Sequence, residues 1–84
     1  MPKLVIRGPL SIAIGKKEVE INMKISLYDL FKLVKVYDYI FKDNKLRPDF
    51  LVFINGKDWR LFGLNELELK EDDIVEIISI NHGG

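Results

Sequence analysis

The chain has 84 residues, and its 13 Lys and Arg balance 13 Asp and Glu, so its formal net charge is zero. It holds no cysteine and a single histidine, His82, which excludes thiol catalysis, disulfides and a zinc-thiolate site. A chain this short buries only a little over ~60% of its unfolded surface, so one small core is the expectation. Zero net charge gives no global argument for nucleic acid, and no direct nucleic-acid contact is expected. No apolar segment reaches the ~18 residues of a membrane span, and no basic n-region with a cleavable apolar core opens the chain. A cytoplasmic monomer with no membrane partner is the expectation.

Lys3 to Arg7 (KLVIR) is short, apolar and β-branched, and is predicted as a strand. Gly8-Pro9 ends it, because proline cannot donate to a ladder. Leu10 to Ile14 fits either a loop or a continuation of the strand. Glu18 to Asn22 alternates polar and apolar residues, which predicts a half-buried strand with Val19 and Ile21 inward. Residues 3–22 are therefore expected to form a hairpin. Ser26 then suits a helix N-cap, with Asp29 in the first turn. Leu27, Leu30, Phe31, Val34 and Tyr37 recur at steps of three and four, which predicts one helix that frays between Tyr39 and Lys42.

Asp43 to Pro48 reads as a polar connection. Phe50 to Asn55 (FLVFIN) is the most apolar strand candidate, and Asn55-Gly56 is a strong turn signal because both residues tolerate positive φ. Trp59 to Phe62 is predicted as a short return strand, and Gly63 to Leu69 as a loop or single helical turn. Ile74 to Ile80 is the final strand. Residues 3–7 and 74–80 are both apolar runs and so the expected central strands. A mixed sheet with one main helix on one face is α+β in class, and this order of elements is a β-grasp.

The zero net charge hides an asymmetry. Residues 1–48 carry 10 Lys and Arg against 5 Asp and Glu; residues 49–84 carry 3 against 8. The acids gather at Glu66, Glu68, Glu71, Asp72, Asp73 and Glu76, where they suit either steering onto a basic partner or plain solubility. No catalytic residue stands out. His82 has no second histidine or nucleophile to work with. Gly8 and Gly15-Lys16-Lys17 have the wrong spacing for a phosphate loop, and Lys17 stands where Ser or Thr would bind magnesium. Asp72-Asp73 alone reads as a solvated pair, so no metal is expected. Trp59 reads as packing rather than a ligand platform.

The sequence closes on Gly83-Gly84. At an average glycine usage of about 7%, two such residues arise together by chance in roughly 0.5% of cases. Glycine there has a physical use, since a carboxylate is activated by another enzyme only if its residue threads into that enzyme's active site. Without Cβ, glycine permits close backbone approach and unusual φ/ψ.

The segments RPDFLVFINGKDWRL, ELELKEDDIVEI and ISINHGG resemble the ubiquitin-like sulfur carriers, and among them the ubiquitin-related modifier family with its archaeal small modifier relatives. The amino-terminal RGPLSIAIGKKEVEI also looks like the small subunit of molybdopterin synthase, and Lys35 to Lys45 seems shorter than in the eukaryotic members. His82 directly before the diglycine favours the modifier branch. The resemblance implies a β-grasp domain over residues 1–80 and a flexible diglycine tail over 81–84.

It also implies that an E1-like enzyme, using ATP and magnesium, adenylates the Gly84 carboxylate, which becomes a thiocarboxylate. The sulfur would pass to an acceptor enzyme, for tRNA thiolation or at the large subunit of molybdopterin synthase. Alternatively, Gly84 would be joined to a lysine of another protein. The chain would bind no cofactor of its own. A non-conjugating ubiquitin-like interaction module is the alternative from a different class. If Val52, Ile54, Val75 and Ile77 face the helix, alternation turns Phe53 and Ile78 outward. By resemblance to ubiquitin they fall where its apolar recognition patch lies, and Phe53, Ile78 and Ile80 are the expected docking residues.

Overall fold

The computed structural model describes residues 1–62 and 68–80. Five strands form one sheet: β1 (Lys3–Arg7), β2 (Glu18–Glu20), β5 (Phe50–Ile54), β6 (Lys57–Asp58) and β7 (Ile74–Ser79), in the order β2-β1-β7-β5-β6. The two apolar runs are indeed central. β1 and β7 pair in parallel with Lys3 beside Ile74 and Arg7 beside Ile78, and every other pairing in this sheet is antiparallel. The parallel pair joins the chain's first strand to its last, so the core closes only when both are present.

β1 and β2 pair antiparallel as expected, with Leu4 opposite Val19, but their connection is a short helix, α1 (Pro9–Ile14), instead of a loop or strand. Gly8 makes this possible. Its φ of 81° and ψ of −162° turn the chain out of β1, and Pro9 then supplies a helical φ in the first turn. Leu10 drops into the core, and Gly15 closes the helix in the left-handed conformation.

The predicted single helix is two. Ser26 caps α2 (Leu27–Leu33) by accepting the Asp29 amide at 3.1 Å. α2 stops at a Schellman turn, in which Lys35 (φ 62°) donates to the Lys32 carbonyl and Val36 to the Phe31 carbonyl. α3 (Tyr37–Ile40) follows after the break. The physical reason is packing. Leu27, Leu30 and Phe31 face inward in register, and after the break Val36, Ile40 and Phe41 are buried too. A continuous helix would bury Val34 and Tyr37 instead, which are only half-buried here.

A small hairpin replaces the expected fraying end and opens the expected polar connection: β3 (Phe41–Lys42) pairs with β4 (Lys45–Leu46), turned by Asp43 and Asn44 at φ 52° and 63°. Asn55 (φ 52°) and Gly56 (φ 82°) turn β5 into β6 as predicted. The return strand comes earlier than expected, at Lys57–Asp58, and Trp59–Phe62 is a 3-10 turn. This places Trp59 under the helices, where it meets Tyr28 and Phe41 edge-on at 5.8 and 6.0 Å between ring centres. Phe41 is the hub of the cluster, with Tyr37 stacked on it at 4.7 Å. Trp59 is packing, as its sequence context suggested, and is 5% exposed. Of the loop or helical turn expected over Gly63 to Leu69, residues 63–67, with Glu66, lie outside the described residues, as does the tail at 81–84, while Glu68 bridges to Ser26.

Candidate functional site

The sheet has a helix-covered face and an outer face. Leu4, Ile6, Val52, Ile54, Val75 and Ile77 point into the core and are all essentially buried. Alternation then places Val5 and Arg7 of β1, Leu51 and Phe53 of β5, and Ile74, Glu76 and Ile78 of β7 on the other side. The register aligns Val5, Glu76 and Phe53 in one row across three strands, and Arg7, Ile78 and Leu51 in the next. Phe53 and Ile78, expected outside, therefore do share a face, and both are half-buried. Arg7 crosses between the rows and donates from Nε to the Glu76 carboxylate at 2.9 Å. Glu18 stands opposite Val5 and pairs with Lys3 at 3.3 Å, and Asp58 stands opposite Phe53, so the face is an apolar centre flanked by charged edge strands.

Leu51, Val5 and Ile74 also belong to this surface, although the docking residues expected from sequence did not include them. For Leu51 and Ile74 the signal was available, because they stand at the parity of Phe53 and Ile78 in their own strands. What was missing was the parallel β1–β7 register, which brings Val5 beside Glu76.

Ile80 stands apart from this pair. It follows the end of β7, and its amide donates to the Asp49 carbonyl at 2.6 Å. It lines a groove of about 480 Å³ with Leu10 and Ala13 of α1, Tyr39 of α3, and Phe50 of β5. The chain therefore leaves the sheet beside α1, at the point where Gly8 packs against Ser79. Ser79 Oγ lies 3.4 Å from both the Arg7 carbonyl and the Leu10 amide, tying the end of β7 to the start of α1.

Glu71, Asp72 and Asp73 lie close to Ile80 in sequence but not in space. Glu71, Asp72 and Asp73 precede β7, whose six residues carry the chain about 20 Å at ~3.3 Å each to Ile80. Asp73 is more than a solvated acid. It accepts from the Asn55 amide group at 2.9 Å and from the Lys70 backbone at 2.7 Å, while Asn55 Oδ1 takes the Ile74 amide at 2.9 Å. It holds the turn before β7 against the β5–β6 turn. Among the described residues no cluster of three or more His, Cys, Asp or Glu side chains is placed to hold a metal ion. No helix among them is long and apolar enough to cross a membrane.

Three groups have displaced proton affinities, Arg60 being raised by the same bonds that lower Asp58. Asp58 Oδ1 accepts from Arg60 N and Nε, and Oδ2 from Nη2 at 2.8 Å; these bonds hold the carboxyl down at about 2, against an ordinary value of 3.8. Burial pushes the Tyr28 hydroxyl up, with Tyr37 adding to the effect. Asp58 stands opposite Phe53 at the β6 edge of the outer face, Tyr28 lies in the aromatic cluster, and neither forms part of a catalytic constellation.

A five-stranded mixed sheet with parallel first and last strands, covered on one face by short helices, is the β-grasp of the ubiquitin-like proteins. The chain belongs to the ubiquitin related modifier family, Urm1, whose family model matches residues 7–84. This is a family of ubiquitin-like modifiers and sulfur carriers. A ubiquitin-related modifier 1 homolog of Dictyostelium discoideum is 34% identical over 93 aligned positions, covering 98% of this chain and 97% of that one. The homolog of Bombyx mori is 43% identical over 68 residues, which is 81% of this chain and 58% of that relative's length.

Among solved structures, Urm1 of Sulfolobus solfataricus superposes with a TM-score of 0.73 at 36% identity, covering 94% of this chain and 100% of that one. A chain of the Amycolatopsis orientalis BexX/CysO complex superposes with a TM-score of 0.72 at 25% identity, over the whole of both chains.

Proposed function

We propose that this chain carries sulfur and modifies proteins through the carboxylate of Gly84. The observation that carries this reading is that the family match runs to Gly84 itself. A carboxylate is a poor electrophile. In the proposed first step its oxygen attacks the α-phosphorus of ATP on an E1-like enzyme with magnesium, and pyrophosphate leaves. The terminal sulfur of an enzyme persulfide then attacks the acyl carbon of the mixed anhydride, and AMP leaves. A second thiol takes the other sulfur of the acyl disulfide, and a thiocarboxylate remains on Gly84. That sulfur goes on to an acceptor, and the tRNA thiolation route is preferred. A lysine amine attacking the same activated carbon gives an isopeptide instead.

On this reading residues 1–80 are the domain that partners grip, and 81–84 are the tail. The chain contributes one reacting group and is acted upon. His82 and Gly83 supply tail contacts, glycine because it lets the backbone lie close to the enzyme. Phe53 and Ile78 form the outer-face contact. A protein partner is supported by the relative solved in complex with BexX.

Incubation with the E1-like enzyme of the same organism, ATP, magnesium and a persulfide donor tests the reading. The wild-type mass should rise by the replacement of one oxygen with sulfur, and Gly84→Ala should abolish or severely impair the change. An unchanged wild-type mass, where a known carrier reacts, would favour a non-conjugating interaction module. Tight binding to a large subunit of molybdopterin synthase would instead direct the sulfur to molybdenum cofactor synthesis.

A further inference from the structure

We infer that the groove beside Ile80 is the seat of the activating enzyme, receiving an apolar side chain from the wall of its active-site entrance while the lysines of the adjoining recess meet carboxylates there. The inference rests on the proposed reaction at Gly84. From Ile80 to Gly84 is four residues, which span at most about 14 Å when fully extended. An enzyme that takes Gly84 into its active site must bring the entrance of that site to the surface around Ile80.

That surface is already shaped for a protein. Leu10, Ala13, Tyr39, Phe50 and Ile80 wall the groove, and Tyr39 is 48% exposed despite its size. Tyr39 and Ala13 also border an adjoining recess, which holds Leu33, 57% exposed, together with Lys16 and Lys35. Exposed apolar side chains gathered beside one another mark a protein contact more than they suit solvent.

The charge beside the groove selects the partner. Lys16 and Lys35 form none of the ion pairs made among the described residues, and no carboxylate lines their recess. The described acids of the 66–76 run begin about 20 Å away, beyond the length of β7, apart from Glu76, which is already paired with Arg7. Asp49 is the acid that lines the groove itself. An apolar groove with a lysine-lined recess beside it complements an apolar projection with Asp or Glu to one side. This surface lies on the helical side of the sheet, so it is separate from the Phe53 and Ile78 face.

The test is ATP–pyrophosphate exchange by the purified E1-like enzyme of the same organism, titrated with full-length chain. Ala13→Trp fills the groove from an exposed position on α1. It should raise the KM for the chain at least tenfold with kcat unchanged. Lys16→Glu combined with Lys35→Glu leaves the groove walls intact. It should raise KM at low salt and largely lose that defect at high salt, which a folding defect would not do.

Should Ala13→Trp fail to fold by circular dichroism, the lysine pair decides alone. Wild-type KM in both variants, or in the lysine pair when Ala13→Trp does not fold, would overturn the inference while adenylation stands. An increase confined to Phe53→Asp would move the enzyme to the outer face and overturn it equally. A wild-type chain that supports no exchange overturns the adenylation reading, and this surface falls with it.

Discussion

Single residues decide where this chain turns. Gly8 holds φ 81° and ψ −162°, a region open essentially to glycine, and a Cβ there would stand 3.2 Å from the Ser79 Cβ. Gly8→Ala should therefore cost about 1–3 kcal/mol, read as a lower urea midpoint with unchanged slope. Asp58 carries a different kind of information. Its folded pKa lies below its unfolded value, so its bonds to Arg60 stabilise the fold above about pH 4, and that contribution is lost as pH falls towards about 2. Removing the guanidinium with Arg60→Gln should bring the Asp58 titration, followed by carboxyl-carbon NMR, back up towards 3.8. A titration that stays near 2 would show that Arg60 is not the cause. The Gly8-Pro9 and Asn55-Gly56 signals were legible as breaks because both depend on backbone chemistry local to the dipeptide. Asp73 was not, since its partners Asn55 and Lys70 arrive only through folding.

At the scale of elements, tertiary packing overrides local periodicity. The steps from Leu27 to Tyr37 describe one helical face, yet the chain breaks at Lys35 so that Val36, Ile40 and Phe41 reach the core. The break places Phe41 against Tyr28, Phe31, Tyr37 and Trp59 at once. Phe41→Ala should cost about 3–5 kcal/mol by calorimetry or denaturant titration, as for other large core truncations. A loss below about 1 kcal/mol would mean that the helical corner collapses to fill the space. α1 was hidden for a related reason. Leu10 to Ile14 is too short for periodicity to tell strand from helix, and its conformation is imposed by the Gly8 turn and by Leu10 finding the core. The return strand was placed too late because Trp59 suits a strand by composition, whereas its burial under Tyr28 and Phe41 requires the 3-10 turn.

Over the whole molecule, the parallel pairing of β1 with β7 does two things. It closes the core between the two ends of the described chain, and it carries Ile80 to the opposite end of the sheet from Glu71, Asp72 and Asp73. The asymmetry of +5 and −5 along the sequence thus puts these acids and Ile80, with Lys16 and Lys35 beyond its groove, at opposite ends of β7. The class of fold and the inward and outward faces of β5 and β7 were legible, because strand alternation needs no knowledge of partners. The separation of Ile80 from Phe53 and Ile78 was not, because it depends on where α1 and α3 pack. The central claim is that Gly84 carries borrowed sulfur on a chain that has no cysteine. Intact mass spectrometry of the carboxyl terminus, on protein isolated from its own cells under non-reducing conditions, tests it most directly. A fraction should carry one sulfur in place of an oxygen at Gly84, or Gly84 joined through a lysine amide to another protein. A free carboxylate on every molecule, in cells actively thiolating tRNA, would contradict it.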